Sequence, residues 1–489
     1  MKKLLLLLFL STFILPEVIG QIIPDTLWTR TFGGSYNERA FSVHQTSDYG
    51  FIVAGEADSN GNGQNDFWLV KVDEYGNEIW NQTYGGYFSE SAKSVQQTSD
   101  GGYILAGINE SYEFDESAIW IVKTDSIGNE IWNQSYGASS YATANCIQQT
   151  TDDGYIIAGS KYQFTYRDFW VIKTDENGDE IWNQTYTYGI ETHDFASSIQ
   201  QTIDGGYIIV GSTVSYPSAS EWDVWLLKID ESGNEIWNQT YGGSSTDIGR
   251  SVIQSCDSGF ILAGETYSFG AGNNDFWVVK TDVNGNEIWN QTYGSNLRER
   301  AYAIKQTNDN GYILSGYTQI PGSYFEFWIV KINENGDEIW NQAYGGDDED
   351  RAYSVIQTSD YGYLVAGSTN SYGSGQHDFW LVRLDSENTI VDNQIFNYEL
   401  DLNNYPNPFN PSTTIEFSIQ NDTKINLSIF NIKGQKIKTL VQNEFAKGNH
   451  SIIWNGEDEF GKSVSSGIYY YKLIENDKIK AMKKCLLLK

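Results

Sequence analysis

Leu27-Trp28-Thr29-Arg30-Thr31-Phe32-Gly33-Gly34 is an early, isolated copy of a pattern met again as Ile79-Trp80-Asn81-Gln82-Thr83-Tyr84-Gly85-Gly86. Ile-Trp then recurs at Trp132, Trp182, Trp237, Trp289 and Trp340. Each of these six Ile-Trp pairs follows another Trp by about twelve residues: Trp68, Trp120, Trp170, Trp225, Trp277 and Trp328. Trp380 continues the second series but has no Ile-Trp after it. The chain therefore holds six whole units and one unit split between its two ends. An open stack has no use for such a split, because its ends never meet. A ring does, because the early segment completes the last unit and covers its free edge. The expectation is an all-β chain with a seven-bladed β-propeller closed by its N-terminal strand.

One unit shows why strands are expected. Residues 92–98 (AKSVQQT) alternate in polarity and read as a first strand, a. Ser99-Asp100-Gly101-Gly102 is a tight turn. Residues 103–107 (YILAG) are apolar and too short for a helix, giving strand b; residues 119–125 (IWIVKTD) give strand c. Ser126-Ile127-Gly128-Asn129 is a hairpin turn, and residues 130–136 (EIWNQSY) form strand d. Strands b and c are apolar on both faces, as expected of a sheet packed between two neighbours. The two Trp residues of each unit are placed to fill those interfaces, each burial being worth about 2–3 kcal/mol.

This order puts the a–b and c–d turns at one end of every unit and the b–c and d–a connections at the other. The turns are uniform. The b–c connections differ throughout: 57–65, 109–117, 161–167, 213–222, 266–274, 318–325 and 369–377. They are rich in Tyr, Ser, Asn and Gly, a composition suited to adaptable hydrogen bonding around rigid aromatic anchors. Drift in the absence of constraint would also vary them. The candidate ligand-binding residues are Tyr112, Phe114, Tyr162, Phe164, Tyr166, Trp222, Tyr267, Phe269 and Tyr324, with Arg39, Arg300 and Arg351 at equivalent positions opening strand a. These arginines fall in neighbouring units, and together could hold a carboxylate or sulfate. A structural pairing within each unit is also open, with Asp66, Glu326 and Asp378 at the start of strand c.

The net charge is −33, and residues 21–400 alone carry 17 basic and 54 acidic groups. Such a body repels nucleic acid and anionic lipid. Cys146, Cys256 and Cys485 suggest no disulfide, so stability rests on the core. The N-terminus reads as a secretory signal over residues 1–20, with Lys2 and Lys3 before an apolar run too short to span a bilayer. No later segment reads as a membrane span.

After Asp385 the repeat stops. Residues 21–385 form the repeat domain, 386–400 a linker, and 401–489 a Lys-rich region of short strands that suggests a small β-sandwich. Tyr405-Pro406-Asn407-Pro408-Phe409-Asn410-Pro411 opens this last region, followed in order by Leu427-Ser428-Ile429-Phe430-Asn431, Trp454-Asn455-Gly456 and Ser466-Gly467-Ile468-Tyr469-Tyr470-Tyr471-Lys472-Leu473. These pieces resemble the C-terminal (type A) sorting domain of type IX secretion cargo. A related resemblance is to the Ig-like domain of flagellar hook-capping proteins. The sorting resemblance implies a Gram-negative source, export through the outer membrane, and the type IX machinery as partner. The Trp-bearing repeats also resemble those common in such cargo, which implies a fold and no activity.

Catalytic signatures are missing. His44, His193, His377 and His450 show no metal spacing, and no HExxH, nucleophile-elbow or phosphate-loop motif is present. The turn at Asp73, repeated at Asp125, Asp175, Asp230 and Asp282 with Asn333 as a variant, resembles the Asp-box of sialidase propellers, which is structural there. The Asn-Gln-Thr/Ser triplets at Asn81, Asn133, Asn183, Asn238 and Asn290 read as repeat residues of strand d rather than glycan acceptors. No cofactor or metal is expected. The reading favoured by the sequence is a secreted or surface-displayed binding protein for a glycan or protein. Alternatives are a propeller hydrolase or lyase acting on anionic polysaccharide, and a structural surface component.

Overall fold

The computed structural model describes residues 23–387 and 402–487, apart from 59–63, 112–115, 138–139, 164, 216–220, 323, 408, 420–421, 432–435 and 476–477. The secretory-signal reading and most of the linker reading lie outside the described residues. The chain divides into two units, 1–389 and 390–489. No described residue is helical.

Among the described residues the first unit holds seven four-stranded antiparallel sheets. Sheets 1 to 6 start with strands a at Glu38–Gln45, Ser89–Gln97, Thr143–Gln149, Thr192–Gln201, Asp247–Gln254 and Glu299–Gln306, and run a-b-c-d in sequence order. Sheet 7 starts at Asp350–Gln357 and takes its fourth strand from the other end of the chain: Thr26–Phe32 pairs antiparallel with Asp378–Leu384, Trp28 facing Arg383 and Thr31 facing Trp380. Strand b is wholly buried in sheets 1, 5 and 7 (Phe51–Ala57, Phe260–Thr266, Tyr363–Thr369), its five-residue apolar run being followed by a buried Glu56, Glu265 or Ser368.

Neighbouring sheets meet through a repeated set of contacts. The strand-c Trp packs on a strand-c Phe of the sheet before it, as in Phe67–Trp120, Phe169–Trp225, Phe276–Trp328 and Phe327–Trp380, with ring centroids 4.3–4.7 Å apart. Trp68 of sheet 1 packs in the same way on Phe379 of sheet 7, at 4.4 Å. The strand-d Trp lies against the c–d turn of the following sheet. Its turn glycine has positive φ, and a β-carbon added at Gly128 would come within 2.8 Å of Trp80. Beside it the strand-d Tyr donates to that glycine's carbonyl: Tyr84 to Gly128, Tyr186 to Gly233 and Tyr293 to Gly336, each at 2.6 Å. At the same end, the a–b turn N–H of each sheet donates to a Gln side chain of the next, from Ser47 to Gln97 through Asn308 to Gln357, and from Ser359 to Gln45.

Each sheet also buries a cation. Lys71, Lys123, Lys173, Lys228, Lys280, Lys331 and Arg383 pair with the a–b turn acids Asp48, Asp100, Asp152, Asp204, Asp257, Asp309 and Asp360, at 2.5–3.1 Å. The Asp residues remain largely exposed while the cationic side chains are buried. The c–d turns behave as the Asp-box comparison implied. Asp125 Oδ1 accepts the N–H groups of Ile127 and Asn129, while Oδ2 accepts the Asn129 amide. The strand-d Asn residues are structural: Asn133 Oδ1 accepts the Trp120 indole N–H at 3.2 Å, and its amide donates to Glu130 at 2.6 Å.

The second unit is a small sandwich of a three-stranded sheet (Asn403–Tyr405, Thr413–Ile419, Gly448–Trp454) and a four-stranded sheet (Thr423–Asn431, Lys436–Phe445, Gly467–Glu475, Lys478–Leu487). Its core joins Leu402, Phe409, Phe417, Leu427, Trp454 and Tyr471. Phe409 is buried, whereas Tyr405 is exposed. Pro408 lies outside the described residues.

Gly101 and Gly128 have the same φ of +84°, but nothing lies within 4 Å of a β-carbon at Gly101. Both Ala replacements are strained by the backbone, and only Gly128→Ala also displaces Trp80. Gly128→Ala is expected to cost about 1–3 kcal/mol more than Gly101→Ala in chemical unfolding. Equal costs would show that the indole contact contributes nothing.

Candidate functional site

One cavity of about 630 Å³ touches the inner strand of all seven sheets. Strand a carries a register shift in every sheet, between Ala40 and Ser42 in sheet 1, and the residue at that bulge points into the cavity. Around the sheets this position reads Phe41, Lys93, Asn145, Ser197, Arg250, Tyr302 and Tyr353. The residues around it barely change, as in Ala40-x-Ser42-Val43, Ala92-x-Ser94-Val95 and Ala352-x-Ser354-Val355. The flanking serines hold neighbouring sheets in place. Val95 N–H donates to Ser42 Oγ at 3.2 Å, Ile147 N–H to Ser94 at 3.2 Å, and Val43 N–H to Ser354 at 3.3 Å. This variable position within a constant frame was the signal that sequence analysis passed over.

Arg167, near the start of strand c of sheet 3, and Trp222, just before strand c of sheet 4, also line the cavity; no described a–b or c–d turn residue does. Trp222 packs on Phe195 at 5.0 Å, and the Arg167 guanidinium lies 4.4 Å from Phe195 and 4.7 Å from Tyr162. The Lys93 ammonium sits 3.8 Å over Phe41. Burial lowers its pKa, with Arg39 acting in the same direction and Glu56 against them. Phe41, Tyr302 and Tyr353 form an aromatic run, Phe41–Tyr353 at 5.2 Å and Tyr302–Tyr353 at 4.9 Å.

The sequence-derived candidates are only partly gathered here. Trp222 lines the cavity and Tyr162 backs it through Arg167. Tyr162 and Tyr166 belong to strands Tyr155–Gln163 and Tyr166–Thr174, not to a loop, because the b–c hairpin of sheet 3 pairs as far as Gln163 and Tyr166. Tyr166 packs on His193 at 5.5 Å. Tyr267, Phe269 and Tyr324 are exposed and do not line the cavity; Phe269 covers Trp277. Tyr112, Phe114 and Phe164 lie outside the described residues.

The arginines do neighbour one another, but their expected partners are corrected. Arg39 pairs with Glu56 at 3.4 Å and Arg351 with Glu349 at 2.9 Å, while Arg300 pairs with Glu265 of sheet 5, shared with Arg250 at 3.0 Å. The acids that open strand c meet other acids instead. Asp66 lies beside Glu90, Asp168 beside Asp194, Asp223 beside Asp247, Asp275 beside Glu299, Glu326 beside Asp350, and Asp378 beside Glu38. Each pair bridges one sheet to the next. Between sheets 2 and 3, Ser117 and Ala142 stand there instead, and the serine hydroxyl donates to the Ala142 carbonyl at 3.1 Å. Burial, with the neighbouring acid, pushes Glu90 up to about 7 and both Asp168 and Asp275 up to about 6. Among the described residues no group of three or more His, Cys, Asp or Glu is placed to hold a metal ion. No helix among them is long and apolar enough to cross a membrane.

Residues 410–478 match the FlgD Ig-like domain. No curated protein matches the chain. Among solved structures, PorZ of Porphyromonas gingivalis, described as a bacterial surface component of the type IX secretion system, is 13% identical with a TM-score of 0.42. The alignment covers 94% of this chain but only 60% of PorZ. The β-propeller domain of the trilobed protease from Pyrococcus furiosus is 10% identical (TM-score 0.43, covering 75% of this chain and 99% of that one). The α-L-arabinanase of Penicillium chrysogenum is 14% identical (TM-score 0.44, covering 74% and 99%). The four-stranded sheets of this chain fit a propeller, followed by an Ig-like domain.

These shifts imply a pH profile. Partial burial raises Asp100, but hydrogen bonds from Lys123, Thr98 and Gly102 outweigh it and bring its pKa down to about 2. A depressed carboxyl stabilises the fold above its unfolded value of about 4, and that contribution is lost as pH falls toward 2. The raised acids work the other way. Their contribution is complete below ~4 and lost as pH rises through 6 to 7. Thermal melts should therefore peak at about pH 4–5 and decline toward pH 8. Joint replacement Glu90→Gln, Asp168→Asn and Asp275→Asn should flatten that decline; a slope unchanged by the triple variant would contradict it.

Proposed function

We propose that the chain is an exported binding protein with a seven-bladed propeller closed by its N-terminal strand, whose ligand seats in the cavity over the inner strands. One observation carries the reading. A single position contributed by every sheet varies from Phe to Lys to Ser to Arg, while the residues on either side repeat. Structural constraint accounts for the constant residues. The varied ones face open space, where a ligand would meet a composite surface of aromatic, cationic and amide groups. Closure is supported by the pairing of Thr26–Phe32 with Asp378–Leu384, and by Ser359 and Trp68 joining sheets 7 and 1. The ligand is a glycan or a protein. Binding is favoured over hydrolysis or lyase chemistry because the described lining is a mixed aromatic, cationic and amide surface.

Export by type IX secretion is supported by the order of motifs from Tyr405 to Leu473 and by the Ig-like match over residues 410–478. It implies the type IX machinery as partner and a secreted or outer-surface destination.

Three measurements test these readings. Removing residues 26–32 should lower the melting temperature by several degrees and open sheet 7 to proteolysis. An unchanged melt would argue against closure by that strand. In a type IX-competent host, the chain lacking residues 401–489 should stay in the periplasm while the full chain leaves it. Phe41→Ala with Trp222→Ala should weaken capture of a glycan or protein ligand at least ~10-fold with the melt retained; undiminished capture would move the site elsewhere.

A further inference from the structure

We infer that the cavity selects an acidic oligosaccharide, one whose sugar rings carry carboxylate or sulfate groups. This rests on the reading that the cavity is where the ligand binds. In a chain of net charge −33, the described residues of the cavity wall include Lys93, Arg167 and Arg250 and no carboxylate. Their ties to acids are unequal. Arg250 shares Glu265 with Arg300, Lys93 is 3.9 Å from Glu56, and Arg167 makes no ion pair with a described residue. The Arg167 guanidinium is held by Tyr162 and Phe195, and its buried Nε has no hydrogen-bond partner among the described residues. A desolvated, unpaired donor is costly unless a ligand satisfies it.

The cations are interleaved with ring faces. Lys93 lies over Phe41, Arg167 over Phe195, and Arg250 5.6 Å from Tyr302, with Trp222 alongside Phe195. A ligand that matches this wall alternates anionic groups with flat apolar faces. An acidic sugar chain does so, offering C–H faces to the aromatic rings and its charges to the guanidinium and ammonium groups.

An acidic peptide is the competing occupant, and it would add to the inner strands by backbone pairing. Those edges are already engaged. Side chains of the preceding sheet accept the N–H groups of Val43, Val95, Ile147 and Ile304 through serines, and those of Gln149, Gln201 and Gln254 through glutamines. Those amides are no longer free to pair with a peptide backbone, which favours a ligand read through side chains, as a sugar would be.

The test is calorimetric titration of the full chain with oligogalacturonate, its uncharged methyl ester, a sulfated galactan oligomer, and an oligo-glutamate peptide. The acidic sugars should bind at least ~10-fold more tightly than the methyl ester, and weaken as salt rises. Arg167→Gln and Lys93→Met should each weaken them several-fold with the melt unchanged, and Arg167→Lys should restore part of the loss. The salt series on the unaltered chain decides the matter should a variant misfold. Equal binding of the methyl ester, preference for the peptide, or absence of binding by both acidic sugars overturns the inference. Should another glycan or protein then bind and be lost in Trp222→Ala, the cavity reading stands without it. Binding of acidic sugars indifferent to Trp222→Ala and Arg167→Gln overturns both.

Discussion

The contact on which the repeat depends is an indole resting against a glycine. Trp80, Trp132, Trp182, Trp237 and Trp289 each lie against the c–d turn of the following sheet, at Gly128, Gly178, Gly233, Gly285 and Gly336, and Trp28 does the same at Gly76. Positive φ and lack of a β-carbon are both needed there, the first to close the hairpin and the second to admit the ring. The neighbouring Tyr hydroxyl then satisfies the turn carbonyl. Where the series ends, the chain improvises: Trp340 donates its indole N–H to Glu387 at 3.0 Å, and the same carboxylate accepts from Tyr363 at 2.7 Å. A carboxylate stands in for a turn that the last sheet does not have.

Most of the fold was legible because its determinants are local and repeated. Apolar runs bounded by turns located strands b and c, and the split unit at Trp28 and Trp380 named the pairing partner of the first strand. Contacts between repeats were harder to read. The acids opening strand c were matched with arginines of their own unit, which is reasonable when only sequence neighbours are visible. In the fold those acids face the next sheet, where another acid waits, and the arginines turn to Glu56, Glu265 and Glu349. The buried Lys–Asp pairs lie within single sheets and were missed for a different reason, since strand c meets the a–b turn only once strands a, b and c are paired.

The site was legible in part. Aromatic loop residues draw the eye, yet Tyr267, Phe269 and Tyr324 do not line the cavity. The decisive position lies inside a strand, where the bulge after Ala40, Ala92 and their equivalents turns one side chain out of the alternating pattern. Period-two reading assigns that residue to a face by parity, and a bulge breaks parity. Variability against a constant frame is the better guide, and here it separates what holds the sheets from what is left to meet a ligand.

The sameness of the joints has a cost in assembly. Gln97, Gln149, Gln201, Gln254, Gln306, Gln357 and Gln45 each offer an identical acceptor to the turn before them, and the Trp and Tyr of one sheet would fit the glycine turn of almost any other. Nothing in this chemistry tells a nascent module which sibling to dock against; only the short tether between consecutive modules does. Folding from one end as the polypeptide emerges avoids that ambiguity, whereas refolding from full denaturation exposes every module to every mate at once.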